Sequence, residues 1–482
     1  MYNKFLNIDI RCLNDYSTGD LIQRSSSDIE TVRKLFSTQL VNAFGSIATI
    51  VLVIIVMSLI NLKLAMISIS LCIVISFLSY VFYGKIGKIF KETDEAESQL
   101  MVFIKEALFN IRVIKAFNRE DYILKLFREK NEEFNITQNK FMKTSAKFRA
   151  VNDFLTFLQL AIILVVGGYE TISGRMNFGD LIAFVIYINM IIWPIRQMGQ
   201  LLSDMAKASV SISRIYEVLD LPEEDYEYGI RDVSFSEKIE FKNVSLVIND
   251  NTVLDDISFA INAGESLGVI GSTGSGKSMI VYLLLGLFEV TSGEILIDGI
   301  NIKEINKRYL REKISAIMQD SELFNMSILE NVKITNDNID DKSVFNATEV
   351  SSIHNEILNF SSKYETVIVD NGGNLSGGQK QRISIARGLL KPFEVLILDD
   401  SLSAVDMNTD LKINNALKSM DKKFTFIFIS HRISTITNCD NIIVMDDGKI
   451  VESGKHNDLI MKNGIYSKIN EIQSKEYDVS NE

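Results

Sequence analysis

NLSGGQKQRISIARGLLKPFEVLILDDSLSAVD, Asn374 to Asp406, holds two chemically distinct pieces whose combination decides how the C-terminal half must fold. LSGGQ, Leu375 to Gln379, sets paired glycines and a serine hydroxyl at a helix start, where exposed backbone N–H groups grip phosphate oxygens. VLILDD then reads as an apolar strand, Val395 to Leu398, ending in two carboxylates, Asp399 and Asp400. An acid at the end of a buried strand is a place to hold a magnesium ion beside a nucleotide.

Upstream, GSTGSGKS (Gly271 to Ser278) follows the strand LGVI and precedes the helical MIVYLLLGL. It fits G-x-x-x-x-G-K-[ST] in the strand–loop–helix setting that the motif requires. Backbone N–H groups of Gly271, Ser272, Thr273, Gly274, Ser275 and Gly276 would wrap the phosphates; Lys277 would neutralise the β- and γ-phosphates and Ser278 would ligate magnesium. From residue 238 to about 470, short strands rich in Ile, Val and Phe alternate with helical stretches, an α/β P-loop NTPase pattern.

The N-terminal half is of another kind. The 482 residues are 47% hydrophobic, with mean hydropathy +0.14, high for a soluble enzyme, so membrane segments are expected. A net charge of −12 argues against nucleic acid as a partner. Cys12, Cys72 and Cys439 lie far apart and form neither a disulfide framework nor a zinc spacing. The N-terminus lacks the apolar core of a signal peptide. Charge-free runs at about 35–62 and 64–84 are each long enough to span a bilayer, and Asn61 to Lys63 leave room only for a tight turn. Residues 85–147 are charged, helix-prone and free of proline, which predicts a helix pair in water on the cytoplasmic side. Two further apolar segments, near 151–171 and 178–200, have charge-free cores slightly short of a full span, and Pro194 should kink the last. An all-α membrane domain over 1–221, an acidic linker at 222–237, the nucleotide-binding domain at 238–470 and a polar tail at 471–482 follow from this pattern.

Taken with the signature, the C-terminal domain resembles an ABC-transporter nucleotide-binding domain. The family's other marks stand in order: Gln319 in IMQDSELF as the Q-loop, Asp406 in SAVD as the D-loop and His431 in ISHR as the switch histidine. The resemblance implies an ATP- and Mg2+-dependent ATPase. Asp400, His431 and Gln319 would carry the chemistry; Ser278, Gln319 and Asp399 would hold the metal; Ser376, Gly377, Gly378, Gln379 and Asp406 would face nucleotide. The membrane part is similar to type IV exporters at Thr18 to Arg33, at Asn110 to Asp121 (a coupling helix) and at Phe178 to Tyr187. In that class two half-transporters pair, coupling helices dock on the nucleotide domains, and each ATP lies between one protomer's Walker motifs and the other's signature. A multi-pass protein of the plasma membrane, with its nucleotide domain in the cytoplasm, is implied.

Three departures from the family stand out. Its protomer has six membrane helices where this chain shows four, so a truncated or mis-started reading frame is expected. Asp400 stands where the catalytic base is Glu, and Ile248 where an aromatic stacks on adenine; Tyr226 or Tyr228 is the available substitute. These point to the degenerate-site partner of a heterodimeric exporter of amphipathic drugs or lipids. A fully active homodimer and a regulatory ATP-binding subunit are the alternatives. A mechanical DNA-repair ATPase would have a coiled coil in place of the apolar spans, and an importer would keep its membrane domain on a separate chain.

Overall fold

The computed structural model describes residues 1–13, 16–336, 338–419 and 424–480. They divide into two compact units: Met1–Leu6 with Tyr16–Leu221, and residues 7–13 with 222–480. The last two residues of the polar tail, 481 and 482, lie outside the described residues. Residues 7–13 group by contacts with the second unit. The backbone N–H of Asp9 donates to the Pro222 carbonyl (3.2 Å) and that of Glu224 to the Asn7 carbonyl (2.7 Å).

The first unit is helical: α1 (Thr18–Ile60), α2 (Leu62–Phe109), the short α3 (Ile111–Ala116), α4 (Glu120–Ile172) and α5 (Phe178–Leu219). No proline interrupts the first four, and α5 continues through Pro194. The helix pair expected over 85–147 is present. It is the unbroken continuation of α2 and α4, closed at its tip by α3. One residue, Asn61, makes the first turn; it leaves helical geometry (φ −153°) and its side-chain oxygen accepts from the Leu64 N–H at 3.1 Å, capping α2. A capping box between Asn177 and Asp180 starts α5. α1, α2 and α4 are long and apolar enough to cross a membrane, while α5 offers the shorter apolar run Phe178–Pro194. Their shared core includes Val53, Met57, Leu64, Ile163, Phe184 and Ile188. At Gly167 a Cβ would stand 2.5 Å from Leu181 Cδ1, so the Leu181 side chain of α5 packs directly over the α4 backbone there.

The second unit carries two sheets among its described residues. A mainly parallel sheet takes β1 (Ser266–Gly271), β2 (Ile314–Ile317), β3 (Val395–Asp399), β4 (Thr425–Ile429), β5 (Asn441–Asp446) and β6 (Lys449–Gly454) in the order β6-β5-β1-β4-β3-β2, with β6 antiparallel. Strands β3 and β1 are buried almost throughout, as the continuous apolar runs require of a sheet covered on both faces. A separate antiparallel sheet is built on the hairpin of Lys238–Ile248 and Asn251–Asn262. Its turn residues Asn249 and Asp250 both have positive φ (49° and 62°), the left-handed pair that a two-residue hairpin needs. That local turn chemistry is why this stretch departs from the α/β alternation expected of it. A third group of buried side chains, with Ile328, Val344, Ile353 and Ile383, forms the core beneath the helices that lead into the signature.

Candidate functional site

Gly271, Asp399, His431 and Gln319 all fall at or just beyond the carboxyl ends of the adjacent parallel strands β1, β3, β4 and β2. In open α/β sheets that edge is where ligands bind. β1 delivers Gly271, whose Cβ position lies 2.1 Å from the Met445 carbonyl oxygen, so no side chain fits. Gly274 (φ 85°) and Gly276 (φ 90°) take left-handed conformations that coil the loop into helix α6 (Lys277–Leu284). Ser275, 1% exposed, keeps a hydroxyl oxygen without a partner, an orphaned polar atom within the phosphate loop. Lys277 is folded back on the loop, donating to the Gly271 (2.9 Å) and Ser272 (2.7 Å) carbonyls. Burial lowers its affinity for a proton while Asp399 and Asp400 oppose that shift. A cation held only by carbonyls, next to an unsatisfied hydroxyl, is a site shaped for an anion.

Asp399, 2% exposed, closes β3 beside Ser278, the second residue of α6. Burial pushes its carboxyl above the ordinary range; Ser278 and Lys277 oppose the shift, and Asp400 adds to it. This hydroxyl–carboxylate pair is an oxygen donor set of the kind magnesium takes beside phosphate oxygens. Gln319, exposed just past β2, stands at the same edge. Asp400 is half-buried, with φ 45° and its N–H tied to the Ile429 carbonyl (2.8 Å). His431 is exposed beyond β4. Ile248, at the end of the first hairpin strand, is half-buried and packs on the core. Tyr226 is engaged within the domain: its hydroxyl donates to Glu224 (2.6 Å), and Arg308 and Arg311 lie over its ring at 5.4 and 5.9 Å.

The signature is built differently. Ser376 is the N-cap of α7 (Gly377–Leu390): its oxygen accepts from the Gln379 N–H (3.2 Å), and the Gln379 side chain accepts from the Ser376 N–H (2.9 Å). Ser376 and Gly377 are exposed and Gly378 is half-buried. At Gly378 a Cβ would meet the Ala404 carbonyl oxygen at 2.9 Å, so the second glycine is required by the neighbouring 401–406 loop. Asp406, exposed, accepts from the Thr409 N–H (3.0 Å) and caps the next helix; the Thr409 side chain and then its N–H hold the carboxyl below the usual range. Among the described residues, no hydrogen bond joins Ser376–Gln379 to the phosphate loop.

Several residues that spacing does not single out hold this frame. Glu356 accepts from Gln379 (3.0 Å) and Arg382 (2.6 Å), fixing the start of α7. Gln381 grips Ala404 N–H and Ser403 Oγ (2.9 and 3.0 Å), and Arg432 donates to the Ser403 (2.7 Å) and Val405 (2.8 Å) carbonyls. Their roles are set by long-range partners, which leave no local pattern.

Two family models match the chain: ABC transporter transmembrane region over residues 1–195 and ABC transporter over residues 254–403. YgaD of Bacillus subtilis, named as a multidrug export ATP-binding/permease protein, is 33% identical over 98% of this chain and 82% of its own length. A protein of Staphylococcus aureus with the same description is 33% identical over 98% of this chain and 83% of its own. A bacterial Atm1-family ABC exporter solved with ATP bound has a TM-score of 0.85 at 24% identity, over 98% of this chain and 84% of that one, a likeness of fold.

Proposed function

The chain belongs to the ABC transporter family, as a multi-pass ATP-dependent exporter of the multidrug type, and on that footing we propose that it is the slow-site half of a heterodimer. Its own phosphate loop binds ATP. Lys277 leaves the Gly271 and Ser272 carbonyls for the β- and γ-phosphates, and the Ser275 hydroxyl gains a partner there. Ser278, Asp399 and Gln319 would hold magnesium, which neutralises the charge that develops on the phosphates. Asp400 would orient the attacking water and His431 would contact the terminal phosphate. The signature, Ser376 to Gly378, completes the ATP site of a second half-transporter. Closure of the two nucleotide domains from the cytoplasmic side then switches the membrane helices, which carry amphipathic drugs or lipids outward.

Asp400 carries this reading. It is one methylene shorter than glutamate, which sets the carboxylate back by about 1.5 Å, and a misplacement of about 1 Å at a reacting centre costs on the order of a hundredfold in rate. Its N–H is tied to Ile429, so the backbone is anchored against moving forward to compensate. ATPase activity of the assembled heterodimer tests this: Asp400→Glu should raise turnover. The reading fails if the wild-type chain alone, as a homodimer, already matches the heterodimer.

A further inference from the structure

The C-terminal helix α8 (Ile465–Ser480) makes a contact that the machinery above does not use. Tyr466, fully buried, shares a hydrogen bond with His456 (2.7 Å), and Ile469 packs on the same core. Gln473 lies one turn further along that face. Its amide nitrogen donates to the His431 carbonyl (2.7 Å) and its amide oxygen accepts from the Ile433 N–H (2.9 Å). One side chain thus holds the main chain on both sides of Arg432. The Arg432 guanidinium in turn holds the 401–406 loop by its Ser403 and Val405 carbonyls, and Gln381 joins that loop to the signature helix.

The geometry points to Gln473 as a positioning residue for ATP turnover, acting through Arg432 on the loop that carries Asp406 and through the His431 backbone on the switch histidine. A planar carboxamide suits such a clasp, because its donor and acceptor are fixed side by side and match a carbonyl and an N–H two residues apart. Nothing else in the described residues bonds these two backbone groups. The clasp leaves the phosphate loop untouched, so its loss should disturb the chemical step and spare ATP binding.

The experiment compares steady-state ATP hydrolysis by the full-length chain, in the dimer it forms, for wild type, Gln473→Ala, Gln473→Glu, Arg432→Ala and the double variant Gln473→Ala/Arg432→Ala. Gln473→Ala should lower kcat roughly tenfold, less than a full 1 Å misplacement costs, with KM for ATP held within about twofold. Gln473→Glu nearly preserves volume but sets an oxygen against the His431 oxygen; a similar loss separates hydrogen bonding from packing. The double variant should be little worse than Arg432→Ala, because the two act in one line. Unchanged kcat in Gln473→Glu, additive losses in the double variant, or a rise in KM that accounts for the whole loss would each overturn the inference. The inference rests on the phosphate-loop reading, for which Lys277→Ala is the control. If Lys277→Ala is inactive and Gln473→Ala is silent, the clasp alone fails; if Lys277→Ala is silent, that reading falls and the clasp with it.

Discussion

Asp399 is the residue at which stability and function oppose each other. Its carboxyl is held above the ordinary 3.8 chiefly by burial, so ionising it costs more in the folded protein than in the unfolded chain. The stability it allows is present at low pH and is lost as pH rises through the unfolded and then the folded value. At neutral pH, Asp399→Asn should therefore raise the melting temperature of the nucleotide-free protein while abolishing Mg2+-dependent turnover. Thermal melts beside ATPase assays check both directions. Asp400 is a second residue under constraint: aspartate is tolerated in its left-handed conformation better than most side chains, which suits the shorter acid to this backbone. The phosphate loop and the strand-end acids are legible in the sequence because their chemistry depends on fixed local spacing. Gln473, Glu356, Gln381 and Arg432 are not, since each is defined by a partner far along the chain.

Among the elements, helix α7 shows how a signature is held in place. A capping box fixes its first turn and Glu356 anchors Gln379 and Arg382 together. The Arg382 guanidinium and the Gln379 amide hold the Glu356 carboxyl below its usual range despite partial burial. Glu356→Ala should leave two polar side chains without their acceptor. Hydrogen exchange at the amides of Gly378 to Lys380 should then speed up, with ATP binding at the chain's own phosphate loop unchanged. Ser376→Ala removes the N-cap, a loss of about 1 kcal/mol, and should impair the dimer more than that figure alone implies. The membrane elements behave differently. The apolar runs mark the parts of α1, α2 and α4 apolar enough to cross a membrane and the shorter run in α5, but not how long these helices are. With no proline to stop them, α2 and α4 run straight from apolar into charged sequence, so a change in composition is not a change in structure. The antiparallel sheet escapes the sequence reading for the opposite reason: a two-residue turn, Asn249–Asp250, sets the pairing where strand composition cannot.

For the whole molecule, one ABC half-transporter offers two surfaces to nucleotide, and they are unlike each other. The phosphate loop buries Ser275 and Lys277 beside Asp399 while Ser272 to Gly274 stay exposed; the signature opens on exposed Ser376 and Gly377 and is held by its capping box and by Glu356. The central claim is that the first retains ATP while the second assists hydrolysis elsewhere. It is tested most directly by turning over Mg2+-ATP in the assembled dimer, quenching, and identifying the nucleotide photo-crosslinked to each chain. Intact ATP should be recovered on this chain and ADP on its partner, with Asp400→Glu converting this chain's nucleotide to ADP. Equal recovery of ADP from both chains of the wild-type dimer would contradict it.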